Sequence, residues 1–206
     1  MIEIIDVDTA ADLLLRGKVV ALATDTVYGV AASLAHPDAV QSLFALKERP
    51  DSKPLPVLAH SVEQIEAYGV MWPLLARRLA RKFWPGALTI VVAVPERIAR
   101  TVGSTTMSAG FRVPDDAQLL AVLKRCGALC VTSANIHGEP PCESASQVQS
   151  AFRDRDELAG VVDGGERHGE VSTVVEVHDD QWRIVRHGAI GEDEIAAVLD
   201  RETPGS

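Results

Sequence analysis

The sequence predicts an α/β protein, a twisted mixed β-sheet flanked by helices in a single domain. Apolar runs of strand length, at residues 18–23, 88–94, 128–132 and 173–177, alternate with segments whose apolar residues recur at helical spacing, such as Val40, Leu43, Phe44 and Leu46. The order is not a strict strand-helix alternation and no segment repeats at a fixed period, so neither a purely parallel sheet nor a solenoid is expected. The chain has 206 residues, 47% of them hydrophobic, with no long Pro/Gly/Ser-rich linker to divide it. One domain over residues 1–201 is expected, with 202–206 a disordered tail.

The elements follow in order. Asp8 is placed to cap a helix that runs through Leu15 and stops at Gly17, and residues 18–23 then read as a buried strand. Pro37 and Asp38 open a second helix, which puts Lys47 and Arg49 at its carboxyl end. A strand at 55–59, a short helix at 62–68 and a helix at 73–83 come next, the last stopping before Trp84-Pro85-Gly86. After the strand at 88–94, a short strand is expected at 110–113, a helix at 117–125 and a strand at 128–132 running into Ser133-Ala134-Asn135. A loop with Gly138, Pro140 and Pro141 follows. Residues 146–152 read as helix, 160–162, 173–177 and 182–186 as strands, and 192–199 as the last helix.

Composition excludes several classes. A net charge of −9 argues against a general nucleic-acid coat protein, which must neutralise many phosphates, while leaving room for a local basic cavity. Three cysteines without a pairing or metal-ligand pattern, and Glu3 and Asp6 where a signal peptide would be basic, read as a reduced cytoplasmic protein. The longest apolar runs are far shorter than the roughly 20 residues of a membrane-spanning helix, so no membrane partner is expected. No histidine pair has ligand spacing, and neither a Walker-type loop nor a GxGxxG fingerprint occurs; no metal held by protein side chains is expected.

Chemistry concentrates where Ala23-Thr24-Asp25-Thr26 ends an apolar strand, because open α/β sheets place ligands at such strand ends. Lys47, Arg49 and Lys53 lie within seven residues, around Pro50 and Pro54. A lone cation near a helix C-terminus needs no ligand, being stabilised by about 0.3–1 kcal/mol through the helix dipole. Three close together repel one another unless an anion intervenes, which favours phosphate. Ser133, Asn135 and Ser172-Thr173 could each serve only local turns, and Arg112 and Arg186 only surface ion pairs. The Arg77, Arg78, Arg81 and Lys82 stripe favours a solvated helix face over an RNA contact.

Taken in order, Thr24-Asp25-Thr26-Val27-Tyr28-Gly29, Lys47-x-Arg49 with Lys53-Pro54-Leu55, Trp84-Pro85-Gly86-x-x-Thr89, Arg112-x-Pro114, Thr132-Ser133-Ala134-Asn135, Ser172-Thr173-Val174 and Arg186-x-Gly188 resemble the YrdC-like family in its short single-domain form. The resemblance implies a twisted α/β sheet around a basic cavity. It implies a nucleotidyltransferase activity as well: formation of threonylcarbamoyl-AMP and pyrophosphate from L-threonine, bicarbonate and ATP, with Mg²⁺ carried on ATP, for the t6A modification of tRNA. Carried over by motif, Lys47 and Arg49 would be catalytic. Lys47, Arg49, Lys53, Ser133, Asn135, Pro141 and Arg186 would meet ATP, and Thr26, Arg112, Thr132 and Ser172 would meet threonine. Ser108 is a further, less secure match. Leu58 departs from the pattern, since some members have a histidine there. Downstream proteins that transfer the threonylcarbamoyl group to tRNA are the implied partners. The competing readings are an RNA-binding module without turnover and a carbamoyl-adenylate-forming domain such as that inside hydrogenase maturation carbamoyltransferases.

Overall fold

The computed structural model describes residues 2–47, 54–136 and 138–199, so Arg49, Lys53 and the tail 202–206 lie outside the described residues. Within the described residues, ten strands form one mixed sheet: β1 (Ile4–Ile5), β2 (Val19–Ala23), β3 (Tyr28–Ser33), β4 (Val57–Leu58), β5 (Leu88–Ala93), β6 (Ser108–Arg112), β7 (Leu129–Ser133), β8 (Leu158–Val162), β9 (Thr173–His178) and β10 (Gln181–Arg186). Their spatial order is β1-β8-β2-β3-β7-β4-β6-β5-β9-β10. The β1-β8, β8-β2, β4-β6 and β5-β9 pairs are parallel and the remaining pairs antiparallel.

Among the described residues eight helices accompany the strands: α1 (Val7–Leu15), α2 (Pro37–Lys47), α3 (Val62–Ala67), α4 (Leu74–Phe83), α5 (Glu96–Val102), α6 (Ala117–Cys126), α7 (Ala145–Ala151) and α8 (Glu192–Leu199). The period of two along β2 explains its uninterrupted apolar run. Val19, Ala21 and Ala23 enter one core, while Val20 and Leu22 enter a second core shared with α1 and α6.

Sequence and structure part at several elements. Asp6, not Asp8, caps α1, its Oδ1 accepting from the Thr9 amide at 2.7 Å. The expected strand at 55–59 shortens to Val57–Leu58, and the short strand at 110–113 begins earlier, at Ser108. β1, β3 and α5 have no counterpart among the elements the sequence predicts. The loss of β3 is the serious one: Tyr28–Ser33 is rich in Gly, Ala and Ser and resembles no strand, yet it is buried along its whole length between β2 and β7. Small residues serve there because both faces are closely covered. A methyl on Gly29 would come within 2.6 Å of the Val131 side chain.

The sheet is strongly coiled. β2 and β6 are four places apart, about 19 Å in a flat sheet. Even so, Asp25, two residues beyond β2, touches Arg112 at the end of β6. Twist accumulated over the intervening strands brings the two ends together. The connection from β8 to β9, residues 163–172, crosses over the Thr24–Thr26 turn, where the Gly169 amide donates to the Thr26 carbonyl at 2.8 Å.

Candidate active site

Burial singles out the site. Eleven polar or charged residues are buried among those described, and six of them, Thr26, Lys47, Arg112, Thr132, Asn135 and Ser172, are residues the sequence nominates for substrate. Buried polar groups are costly unless bonded or reserved for a ligand, so their gathering in one region marks it as functional.

The first centre surrounds Lys47. Its ammonium is no solvated helix-end charge: it lies inside, donating to the Ser133 carbonyl at 2.6 Å, Ser133 Oγ at 3.1 Å and Asn135 Oδ1 at 2.9 Å, with Thr132 Oγ1 at 3.4 Å. Among the described residues its three N–H donors thus meet four acceptors, and an incoming anion must displace one of them or act on the charge alone. Asn135 is fixed independently, its Nδ2 donating to the carbonyls of Ile136 and Glu139 at 3.0 and 2.7 Å. Asn135, Pro140 and Cys142 also line a cavity of about 540 Å³ that extends to Ser146 and Gln147 of α7. Pro141 lies between two of those lining residues. Burial pushes the Cys142 thiol pKa up, opposed by the nearby Lys47 charge.

The second centre pairs two guanidinium groups. Arg112 donates from Nε to the Gly86 carbonyl at 2.8 Å and from Nη2 to Asp25 Oδ2 at 2.6 Å, an ion pair almost closed to solvent. Its Nη1 has no partner among the described residues. Gly86 is required where it stands, because a methyl there would meet the Phe83 carbonyl at 2.6 Å. Arg186 is exposed as a residue, yet its guanidinium donates to the Ser172 carbonyl at 3.1 and 2.7 Å and to Ser172 Oγ at 3.0 Å. Burial, then the nearby charge of Arg112, holds the Arg186 pKa below the usual guanidinium range. Ser172 Oγ also meets Thr89 Oγ1 at 2.9 Å.

The turn after β2 joins the two centres. Thr24 Oγ1 donates to the Val27 carbonyl at 2.6 Å and accepts the amides of Thr26 and Val27. Since its single hydrogen is committed, the 3.0 Å contact between the two threonine hydroxyls has Thr26 as donor, leaving Thr26 Oγ1 free to accept. On one side of the turn Asp25 holds Arg112. On the other, the Ala134 amide donates to the Tyr28 carbonyl at 2.7 Å, beside Ser133 and Asn135. Only Thr26 and Val27 lie between Asp25 and Tyr28, so the two centres flank one short turn.

Of the nominated residues, Ser133 and Asn135 converge on Lys47 with Thr132 near them, and Arg186 and Ser172 converge on each other beside Arg112. Ser108 sits at the opposite end of β6 from Arg112 and bonds locally to Thr106 Oγ1 at 2.9 Å. Sequence reasoning missed Arg167, which donates from Nε to the Thr24 carbonyl at 2.8 Å and from Nη2 to Asp116 Oδ2 at 3.0 Å, tying the 163–172 connection to the turn. It missed the anchoring of that connection by Tyr28 as well, whose hydroxyl donates to the Gly165 carbonyl at 2.9 Å and accepts the Gly164 amide at 3.0 Å. No local pattern around Arg167 signals its role. Arg77 and Arg81 of the cationic stripe line a separate cavity of about 350 Å³ against His60 and Trp84, which contains none of the nominated residues.

Comparison with known proteins gives the same picture. The Sua5/YciO/YrdC family model, described as "Telomere recombination", matches residues 12–188. A Bacillus subtilis protein named threonylcarbamoyl-AMP synthase is 35% identical over 193 residues, which are 92% of this chain but 55% of that protein. A Mycobacterium tuberculosis relative is 33% identical over 192 residues, 93% of this chain and 88% of its own. The chain therefore spans just over half of the first relative and most of the second. The crystal structure of P. abyssi Sua5 complexed with L-threonine superposes with a TM-score of 0.86 at 33% identity, covering 94% of this chain and 57% of that one. With its ten-stranded mixed sheet, its ordered motifs and this match along most of its length, the chain belongs to the Sua5/YciO/YrdC family.

Proposed function

We propose that this chain forms threonylcarbamoyl-AMP and pyrophosphate from L-threonine, bicarbonate and ATP, supplying a nucleotidyltransferase step of tRNA t6A modification in the cytoplasm. The observation that carries the reading is the pair of centres joined by one turn. Among the described residues, Arg112 and Arg186 against the single carboxylate of Asp25 leave one positive charge without a counter-charge, which suits the carboxylate of an amino acid. Lys47, in the centre on the other side of the turn, suits the phosphates of ATP, and the cavity beside Asn135 suits the nucleoside. We assign Arg49 and Lys53 to the same phosphate region on sequence grounds.

The threonine amine attacks the carbon of bicarbonate or of CO₂ derived from it, and a carbamate forms with loss of water overall. A carbamate oxygen then attacks the α-phosphorus of ATP, and the bond to the bridging oxygen breaks to release pyrophosphate. No covalent enzyme intermediate is needed. The chain contributes alignment of the two substrates and a cation that offsets charge growing on the phosphate oxygens. Magnesium arrives with ATP. The described partners of Lys47 are neutral oxygens already engaged by its ammonium, so the ion stays with the phosphates. Thr26 Oγ1 and Ser172 address the polar groups of threonine, and a pocket built to bond a substrate hydroxyl can reject an analogue lacking it by on the order of 10⁴. The adenylate then passes to proteins that transfer it to tRNA.

Pyrophosphate release from Mg-ATP tests the reading. Release is expected to require both threonine and bicarbonate, and to fall when serine or valine replaces threonine. Release indifferent to either co-substrate, or none from folded protein, would overturn it. RNA binding that needs no ATP and weakens steeply with salt would point instead to a binding module.

A further inference from the structure

One carboxylate oxygen at the site has no partner. Asp25 Oδ2 holds Arg112, whereas Asp25 Oδ1 is buried and accepts no hydrogen bond. Leaving a buried polar atom unbonded costs about 1–3 kcal/mol, more when it is charged, and such an atom calls for an explanation. Of the three buried side-chain atoms left unpartnered among the described residues, only Asp25 Oδ1 lies at the site; the others belong to His60 and Trp72.

The turn cannot rotate to relieve it. Its backbone is pressed from outside by Gly169, where a methyl would stand 2.6 Å from both the Asp25 carbonyl and Thr26 Cα. It is bonded there by the Gly169 amide and from behind by Arg167. The groups on this turn share one polarity. Asp25 Oδ1 can only accept, and Thr26 Oγ1, its hydrogen committed to Thr24, can only accept as well. Arg112, bonded to Asp25 through Nη2, and Arg186, near enough to Arg112 to feel its charge, can only donate.

A row of acceptors beside a row of donors is complementary to a zwitterion. We propose that Asp25 binds the α-amino group of the amino-acid substrate, its Oδ1 accepting an N–H while Arg112 and Arg186 hold the carboxylate. The Asp25–Arg112 pair is then the resting form of the site, and the substrate's two charged ends extend it into an alternating four-group array. Bonding the amine through Asp25 also fixes which way its nitrogen faces when it meets bicarbonate. This inference rests on the reading that the substrate is threonine.

The test compares two ligands by calorimetry: L-threonine, and 2,3-dihydroxybutanoate of the same configuration, in which a hydroxyl replaces the amine. The wild-type protein is expected to bind threonine at least about tenfold more tightly. Asp25→Asn is expected to weaken threonine by about 10- to 100-fold, the range for a hydrogen bond to a charged group, while dihydroxybutanoate changes by less than about threefold. Equal weakening of both ligands would show that Asp25 acts only through Arg112, and unchanged threonine affinity would show that it makes no contact; either result overturns the proposal and leaves the threonine reading standing. A wild-type protein that binds no threonine would overturn both. If Asp25→Asn does not fold, the wild-type ratio alone decides, since equal affinity for the two ligands would sink the assignment.

Discussion

Replacing Lys47 by Met tests the phosphate centre most directly, because the structure separates its effect on chemistry from its effect on folding. Methionine keeps the length of the buried stem and removes only the ammonium. The groups that lose the ammonium keep other partners. The Ser133 carbonyl still accepts the Asn135 amide at 3.1 Å, Asn135 Oδ1 still accepts from Ser133 Oγ at 2.6 Å, and Asn135 Nδ2 keeps both of its carbonyls. None of these acceptors is orphaned, and the loss of the ammonium's hydrogen bonds, about 1 kcal/mol or more each, is largely offset because a charge no longer has to be desolvated, leaving a net change of about 1 kcal/mol. For a chain of this length that is a melting-temperature change of about 2–4 °C. Catalysis has no such reserve. Removing a preorganised donor from developing phosphate charge costs about 10²–10³ in kcat. The assay is pyrophosphate release alongside a thermal melt of the same preparation. Turnover within about threefold of wild type in a folded Lys47→Met protein would refute the assignment of Lys47 to the phosphates. A melting temperature lower by 15 °C or so would refute the account of how its partners are satisfied.

Other expectations concern the connection over the site and the core. Gly169→Ala places a methyl 2.6 Å from the backbone of the Thr24–Thr26 turn, and overpacking of this kind should destabilise the protein by about 1–3 kcal/mol, read from urea midpoints, and raise the KM for threonine. Arg167→Met frees the Thr24 carbonyl and leaves Asp116 with its helix-capping bond to the Leu119 amide; a higher KM for threonine with an unchanged KM for ATP is expected, and an equal rise in both would contradict a role at the turn. Burial pushes the Cys130 thiol pKa far above its ordinary 9.0. The unfolded chain therefore releases that proton first as pH rises, and stability should fall above pH 9 by up to about 1.4 kcal/mol per pH unit for this thiol, an effect that Cys130→Ala should diminish. Urea midpoints that stay flat between pH of about 8 and about 10 would contradict this.

Much of the site was legible in the chain because its residues lie in short local motifs at strand ends. A strand that ends in Thr24-Asp25-Thr26, another that ends in Ser133-Ala134-Asn135 and a helix that ends in Lys47 are each visible from local pattern. Their shared order along the chain pointed to the family. What the local pattern could not carry was partnership. Lys47 reads equally well as a solvated helix-end cation, and only burial against Ser133 and Asn135 excludes that. Tyr28–Ser33 reads as no strand, because its small residues acquire their meaning from the two strands that cover them.

By itself the sequence determined the fold class and the family, and it nominated the residues assigned to substrate, since these follow from hydrophobic period and from motifs a few residues long. Only the tertiary structure decided that Asp25 faces Arg112, that Arg167 fastens the 163–172 connection over the turn, and that one oxygen of Asp25 is left without a partner. The reason is physical: those contacts join residues 87 and 143 positions apart, Asp25 meeting Arg112 because twist accumulates over the strands between β2 and β6, and Arg167 meeting Thr24 because β8, which precedes it, lies beside β2.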